Sequence, residues 1–176
     1  MTIEELVETI KKSKQHSCLY HFTDASNRPS IKKHGILSSE ERQNKNIKPD
    51  FCGGNERSQD ADISKGITNY VSLSFTKDHP LCYLAKCAGR LPNPIYLKIC
   101  LEVLLIDGVM FANGVANANA TYLMPMKKAL EKNEIDLDVI YKETDWKDPV
   151  INNRLQTARK TEILVPNCVP QTLFLR

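Results

Sequence analysis

The chain has 176 residues, 41% of them hydrophobic and 26% charged, and a formal net charge of +3. That length supports one domain over residues 1–176 with a core of its own, so neither disulfides nor a structural metal is needed to hold it. No apolar run approaches membrane-spanning length and the polar, acidic start does not read as a secretion signal, so the expected location is the cytoplasm; the weak positive charge permits a nucleic-acid partner without demanding one.

Thr2 and Glu5 form a capping-box pattern, and Ile3, Leu6, Val7 and Ile10 recur at helical spacing. Residues 2–14 are predicted as an amphipathic helix at the N-terminal edge, with a basic end at Lys11, Lys12 and Lys14. Residues 18–22 are apolar and β-prone, with His21 and Thr23 as polar exceptions. A lone histidine in such a strand is ordinarily a satisfied core residue. Residues 24–27 carry turn chemistry. Pro29 suits the first turn of a short helix, and Gly35 suits the position just past its end. A strand feeding a short helix leaves backbone donors and polar side chains that suit a phosphate or a ribose.

Residues 38–48 are polar, with a short helix at 39–45 and loop beyond it. Residues 51–60 break from any period and are predicted as a loop of the length that often carries function. Arg57 within it is either a solvated loop residue or a fixed guanidinium able to hold a diphosphate. Residues 70–75 alternate strictly, so Val71, Leu73 and Phe75 face one way and Ser72 and Ser74 the other. His79-Pro80 marks a turn or a helix start. Residues 95–101 form a second alternating strand, and apolar character continues to the Asp107-Gly108 turn. A short strand at 109–111 is followed by a small, Asn-rich stretch at 112–121, which is either a surface loop or a segment that lets a ligand approach closely.

Residues 126–134 read as a helix, residues 136–147 as an acidic segment holding the only tryptophan, Trp146, and Pro149 opens another helix through Ala158. Arg154, Arg159 and Lys160 make the end of that helix basic, the best local candidate for a phosphate-backbone contact. Residues 161–166 form a strand, and Glu162 near its start is out of place on propensity grounds; such local violations are where function often sits. Residues 172–175 are predicted as a closing strand. The six cysteines, at 18, 52, 82, 87, 100 and 168, form no Cys-x-x-Cys pair or zinc spacing. Cys18 and Cys100 read as small buried hydrophobes, and Cys52, beside Gly53-Gly54, is the one candidate for a reactive thiol.

Leu19-Tyr20-His21-Phe22-Thr23, with Asn27, Pro29-Ser30-Ile31 and His34-Gly35-Ile36-Leu37-Ser38, resembles the opening motif of the DarT-type ADP-ribosyltransferases. The likeness continues through Asn69–Phe75, His79-Pro80 and Tyr83. It closes on Arg159-Lys160-Thr161-Glu162-Ile163-Leu164-Val165-Pro166, and it covers residues 19–170. It implies an α+β fold in which two small, mostly antiparallel sheets form a split core with a cleft between them, flanked by short helices. It implies NAD as the substrate and no metal. Glu162 would be the catalytic carboxylate and Arg57 the substrate-facing arginine. His21, Phe22, Thr23, Ser30 and Ser38 would bind the dinucleotide, with His21 and Thr23 at its nicotinamide end. The loop match around Arg57 is loose.

Transfer of ADP-ribose passes through a cation spread over the ribose C1′ and ring oxygen, and a fixed carboxylate nearby stabilises it. The resemblance further implies a base of single-stranded DNA as acceptor, with RNA as a variant. It implies a toxin or phage-defence role with a cognate antitoxin protein. Two other readings compete: a protein-modifying transferase or NAD glycohydrolase, and a catalytically silent nucleic-acid-binding module on the same fold.

Overall fold

The computed structural model describes residues 1–14, 16–142 and 145–175. In chain order the first half comprises α1 (Ile3–Lys12), β1 (Leu19–Asp24), α2 (Arg28–His34), β2 (Ile36–Leu37), α3 (Ser39–Asn44), α4 (Glu56–Lys65), β3 (Tyr70–Ser74) and α5 (Pro80–Cys87). The second half comprises β4 (Pro94–Ile99), β5 (Met110–Ala112), β6 (Leu123–Pro125), α6 (Met126–Glu131), α7 (Leu137–Tyr141), α8 (Pro149–Ala158), β7 (Glu162–Pro166) and β8 (Cys168–Val169). No helix among the described residues is long and apolar enough to cross a membrane.

The strands form a six-stranded sheet in the order β4-β1-β3-β7-β5-β6 and a separate β2-β8 pair, with every pairing antiparallel. This mixed fold is the α+β class expected, but the split is drawn differently. Instead of two comparable sheets there is one sheet with a weak seam. β1 pairs with β4 along its whole length, from Leu19–Ile99 to Asp24–Pro94, yet it meets β3 only at Tyr20–Ser74. Beyond that pair the two strands part.

Capping and burial explain why the helices stand where they do. In α1 the Glu5 carboxylate accepts the Thr2 N–H while Thr2 Oγ1 accepts the Glu5 N–H, and Leu6 and Ile10 are fully buried. The main core lies on one face of the sheet, where Leu73, Phe75, Phe111, Ile163 and Val165 pack with the helical residues Leu6, Ile10, Leu130 and Ile140. Leu164 points to the other face, into a smaller cluster with Ile67, Ala112 and Ala116. Both faces of β7 are therefore covered, so its sequence reads as a continuous apolar run. Gly35 ends α2 at φ +79°, and a Cβ there would sit 2.6 Å from the Val169 carbonyl oxygen. Only glycine allows β2 to close on β8.

Several local expectations are corrected. The segment from Glu56 onward is not loop but helix α4, capped by the Asn55 side chain and stopped at Gly66 in the left-handed conformation. Its residues carry almost no amphipathic signal, so periodicity could not find it. The expected closing strand at 172–175 is a 3₁₀ turn, Gln171–Leu173, with a single bridge from Phe174 to Ile99. Helix α7 rises from the stretch taken as merely acidic, with Asp136 as its cap; Glu143 and Thr144 of that stretch lie outside the described residues. At the basic end of α8 the two arginines are already engaged, which leaves Lys160 as the exposed cation there. Arg154 makes a bidentate pair with Asp136 at 2.8 Å on both arms, and Arg159 is ion-paired to Asp78 at 2.7 Å.

Candidate active site

The seam in the sheet opens into a cleft of about 270 Å³. Its walls are His21, Phe22 and Thr23 of β1, the 51–54 loop, Ser58 and Asp62 of α4, Ser72 of β3, the 115–117 loop and Glu162 of β7. The early histidine–threonine edge and the late glutamate thus face one space. A shallow annexe shares His21, Thr23, Asn27 and Arg42 with the cleft and adds Ser30 of α2.

Where β1 and β3 part, the Ser72 carbonyl loses its ladder partner, and His21 Nδ1 takes its place at 3.0 Å. A carbonyl only accepts, so Nδ1 carries the proton and Nε2 is left as an acceptor. Burial lowers the His21 pKa, which keeps the ring neutral; the Ser72 bond works in the opposite direction. Asn27 fixes the floor. Its Nδ2 donates to Thr23 Oγ1 at 3.1 Å and to the Phe51 carbonyl at 2.8 Å, and its Oδ1 accepts the Asp50 N–H at 2.8 Å. This buried amide holds the cleft loop against β1.

Glu162 is 5% exposed and opens β7, in register with Ser74 of β3 and Ala112 of β5. Its Oε2 accepts the Ala116 N–H at 2.8 Å, and its Oε1 lies 3.3 Å from Nε2 of the buried His79. Burial raises its pKa to about 7; the Ala116 bond opposes that rise, and nearby Asp62 adds to it. The same burial lowers His79 to about 4. The 115–117 loop that contacts Glu162 is clipped to α4. Asn117 Nδ2 donates to Asp62 Oδ1 at 2.9 Å, and Lys65 Nζ donates to the Ala118 and Thr121 carbonyls, each at 2.6 Å. The Asn-rich stretch is therefore a wall of the cleft.

The residues singled out from sequence are distributed unevenly. Glu162, His21, Phe22 and Thr23 line the cleft together, and Ser30 lines its annexe. Ser38 is buried as the N-cap of α3, where its hydroxyl accepts the Glu41 N–H at 3.2 Å. Arg57 stands exposed on the first turn of α4 and is not among the residues lining the cleft. Two arginines that sequence reading passed over, Arg42 and Arg90, do line it, and neither has an ion-pair partner among the described residues. His79 was not singled out as a site residue: the likeness runs through His79-Pro80, but taken alone that pair speaks only of a turn or helix start. Cys52 borders the cleft with Gly53 and Gly54. No group of three or more His, Cys, Asp or Glu among the described residues could hold a metal ion.

A divided antiparallel sheet brings a buried glutamate and a His-x-Thr edge to one cleft, the arrangement that the resemblance to ADP-ribosyltransferases implies. The family model described as "ssDNA thymidine ADP-ribosyltransferase, DarT" matches residues 20–176, and the chain belongs to that family. No curated relative matches it. Among solved structures, Thermosipho africanus DarTG in complex with ADP-ribose superposes with a TM-score of 0.67 at 19% identity, over 89% of this chain and 42% of that one. Thermus sp. 2.9 DarT in complex with ADP-ribosylated ssDNA gives 0.66 at 14% identity, over 92% and 82%. The same protein in complex with NAD+ gives 0.61 at 16% identity, over 93% and 81%. These share the fold; this chain spans less than half the length of the Thermosipho chain.

Proposed function

We propose that this chain transfers ADP-ribose from NAD to a base of single-stranded DNA, thymine by its family. The observation that carries the reading is Glu162, a buried carboxylate sharing one cleft with His21, Phe22 and Thr23. In the reaction the C1′–N bond breaks and its electron pair leaves on nicotinamide, which becomes neutral. A base atom supplies the pair for the new bond to C1′ and gives up its proton to water. The protein needs to orient the dinucleotide and to stabilise the ribosyl cation, and Glu162 supplies that charge. NAD enters with a positive nicotinamide ring, which favours the ionised form of a carboxyl whose pKa burial has raised to about 7.

His21, Phe22 and Thr23 hold the nicotinamide end, and Ser30 meets the ribose or phosphates from the annexe. Arg42 and Arg90 already border the cleft and are the nearer candidates for the diphosphate. Arg57 fills that role only if α4 moves inward. Ser38 acts by capping α3, which carries Arg42. The cellular role that fits is a cytoplasmic toxin or defence effector restrained by an antitoxin protein.

Labelled NAD incubated with single-stranded DNA, single-stranded RNA, protein or buffer alone tests the reading. Label on DNA, lost in Glu162→Gln, is the expected result. Label on RNA or protein moves the acceptor assignment. Nicotinamide release without an acceptor makes the chain a glycohydrolase, and binding without turnover makes it a silent module.

A further inference from the structure

We propose that His79 is the positioning residue for Glu162, presenting a neutral N–H to the carboxylate from behind the cleft. This rests on the reading of Glu162 as the charge-bearing group. His79 is 1% exposed and sits at the N-terminus of α5. Its Nδ1 accepts the Leu81 N–H at 3.3 Å. A backbone N–H can only donate, so Nδ1 is the lone-pair nitrogen and the proton resides on Nε2. Nε2 faces the Lys160 carbonyl and, at 3.3 Å, Glu162 Oε1, but makes no aligned hydrogen bond to either. Phe22 of β1 stacks on the ring with centroids 5.7 Å apart and planes 26° apart. The imidazole is thus held by α5 on its edge and by β1 on its face, with its only donor turned between the Lys160 carbonyl and the carboxylate.

A buried donor without an aligned acceptor is costly, and active-site hydrogen bonds commonly tighten once substrate is in place. A small rotation of Glu162 toward Nε2 closes this one. Oε1 is then fixed by His79 and Oε2 by the Ala116 N–H, so the carboxylate is aimed before the cation forms. The neutral state matters. A protonated imidazole would cancel the negative charge that the reaction needs, and the Leu81 N–H blocks the second proton. The charged groups facing the pair are Asp62 of α4, beside Glu162, Asp78, next to His79 in sequence and ion-paired with Arg159, and Arg42 and Arg90 on the cleft wall.

Two variants separate positioning from capping. His79→Asn keeps an acceptor for the Leu81 N–H but cannot reach Glu162. His79→Gln places a donor near the Nε2 position. Misplacing a reacting group costs about 10²-fold, so His79→Asn should lower kcat roughly 10- to 100-fold with KM for NAD nearly unchanged. The acid limb of its kcat–pH profile should move upward, because Glu162 loses a donor that favours ionisation. His79→Gln should recover much of kcat, and folding is checked by thermal melting and NAD binding. If His79→Asn turns over like the parent, or Gln is no better than Asn in folded protein, the proposal fails and His79 is only a helix cap. If Glu162→Gln itself retains parent transfer, the active-site assignment fails instead, which the His79 pair alone could not report.

Discussion

A roomy groove and the chemically loaded cleft are different places. A groove of about 630 Å³ runs between α7–α8 and the β3–α5 connection, more than twice the volume of the cleft at the sheet seam. Its arginine, Arg159, is already ion-paired with Asp78 across the groove wall. The cleft is smaller, yet its arginines have no ion-pair partner among the described residues, its glutamate is buried with one hydrogen bond, and a histidine donor waits beside it. Volume alone does not mark an active site. Polar groups that the fold has desolvated without satisfying do, because a substrate completes them.

Breaking Glu162 should have the largest effect on this contrast. Glu162→Gln should reduce transfer at least about 10²- to 10³-fold, measured with labelled NAD and single-stranded DNA. It should also be more stable than the parent at alkaline pH. The folded-state pKa of about 7 lies above the ordinary 4.5, so the folded state holds the proton more tightly and the parent loses stability as pH rises through that window. At about 1.4 kcal/mol per pH unit, the glutamine variant should gain about 3 kcal/mol above pH 7 and little below pH 4.5, read from urea unfolding at several pH values.

The arginine comparison comes next. Arg42→Ala should raise KM for NAD about 10- to 100-fold, the worth of a charge-assisted hydrogen bond. Arg159→Ala should leave KM alone and shift stability by about 1 kcal/mol or less. Arg57→Ala should fall between them if α4 closes over the ligand and match Arg159→Ala if it does not. Steady-state kinetics on the three variants orders them; equal effects at Arg42 and Arg159 would erase the contrast between cleft and groove. Smaller still, Asn27→Ala should cost about 1–3 kcal/mol by leaving the Phe51 carbonyl and the Asp50 N–H without their partner. It should weaken NAD binding by freeing the loop, which hydrogen exchange of residues 50–54 would detect.

Local chemistry made much of this legible in advance. Thr2 with Glu5, the alternation of residues 70–75 and Pro149 each announce an element because capping and side-chain periodicity act over a few residues. Glu162 stood out for the same reason: a charge at the head of an apolar strand violates a local rule. Helix α4 was missed because its polar residues leave no periodic trace, and Arg57, taken for a loop residue, landed on its outer side. Arg154 and Arg159 looked available because their partners, Asp136 and Asp78, lie far away in sequence.

The sequence by itself determined most of the capped or periodic elements, which follow from residue type and short-range spacing, and the motif pair at the two ends of the domain, whose family resemblance implied the class of chemistry. Only the tertiary structure decided that the sheet opens between β1 and β3, that His79 stands behind Glu162, and which arginines remain unpaired. Those outcomes depend on strand register, desolvation and charge pairing between distant segments, and none of these is encoded in neighbouring residues.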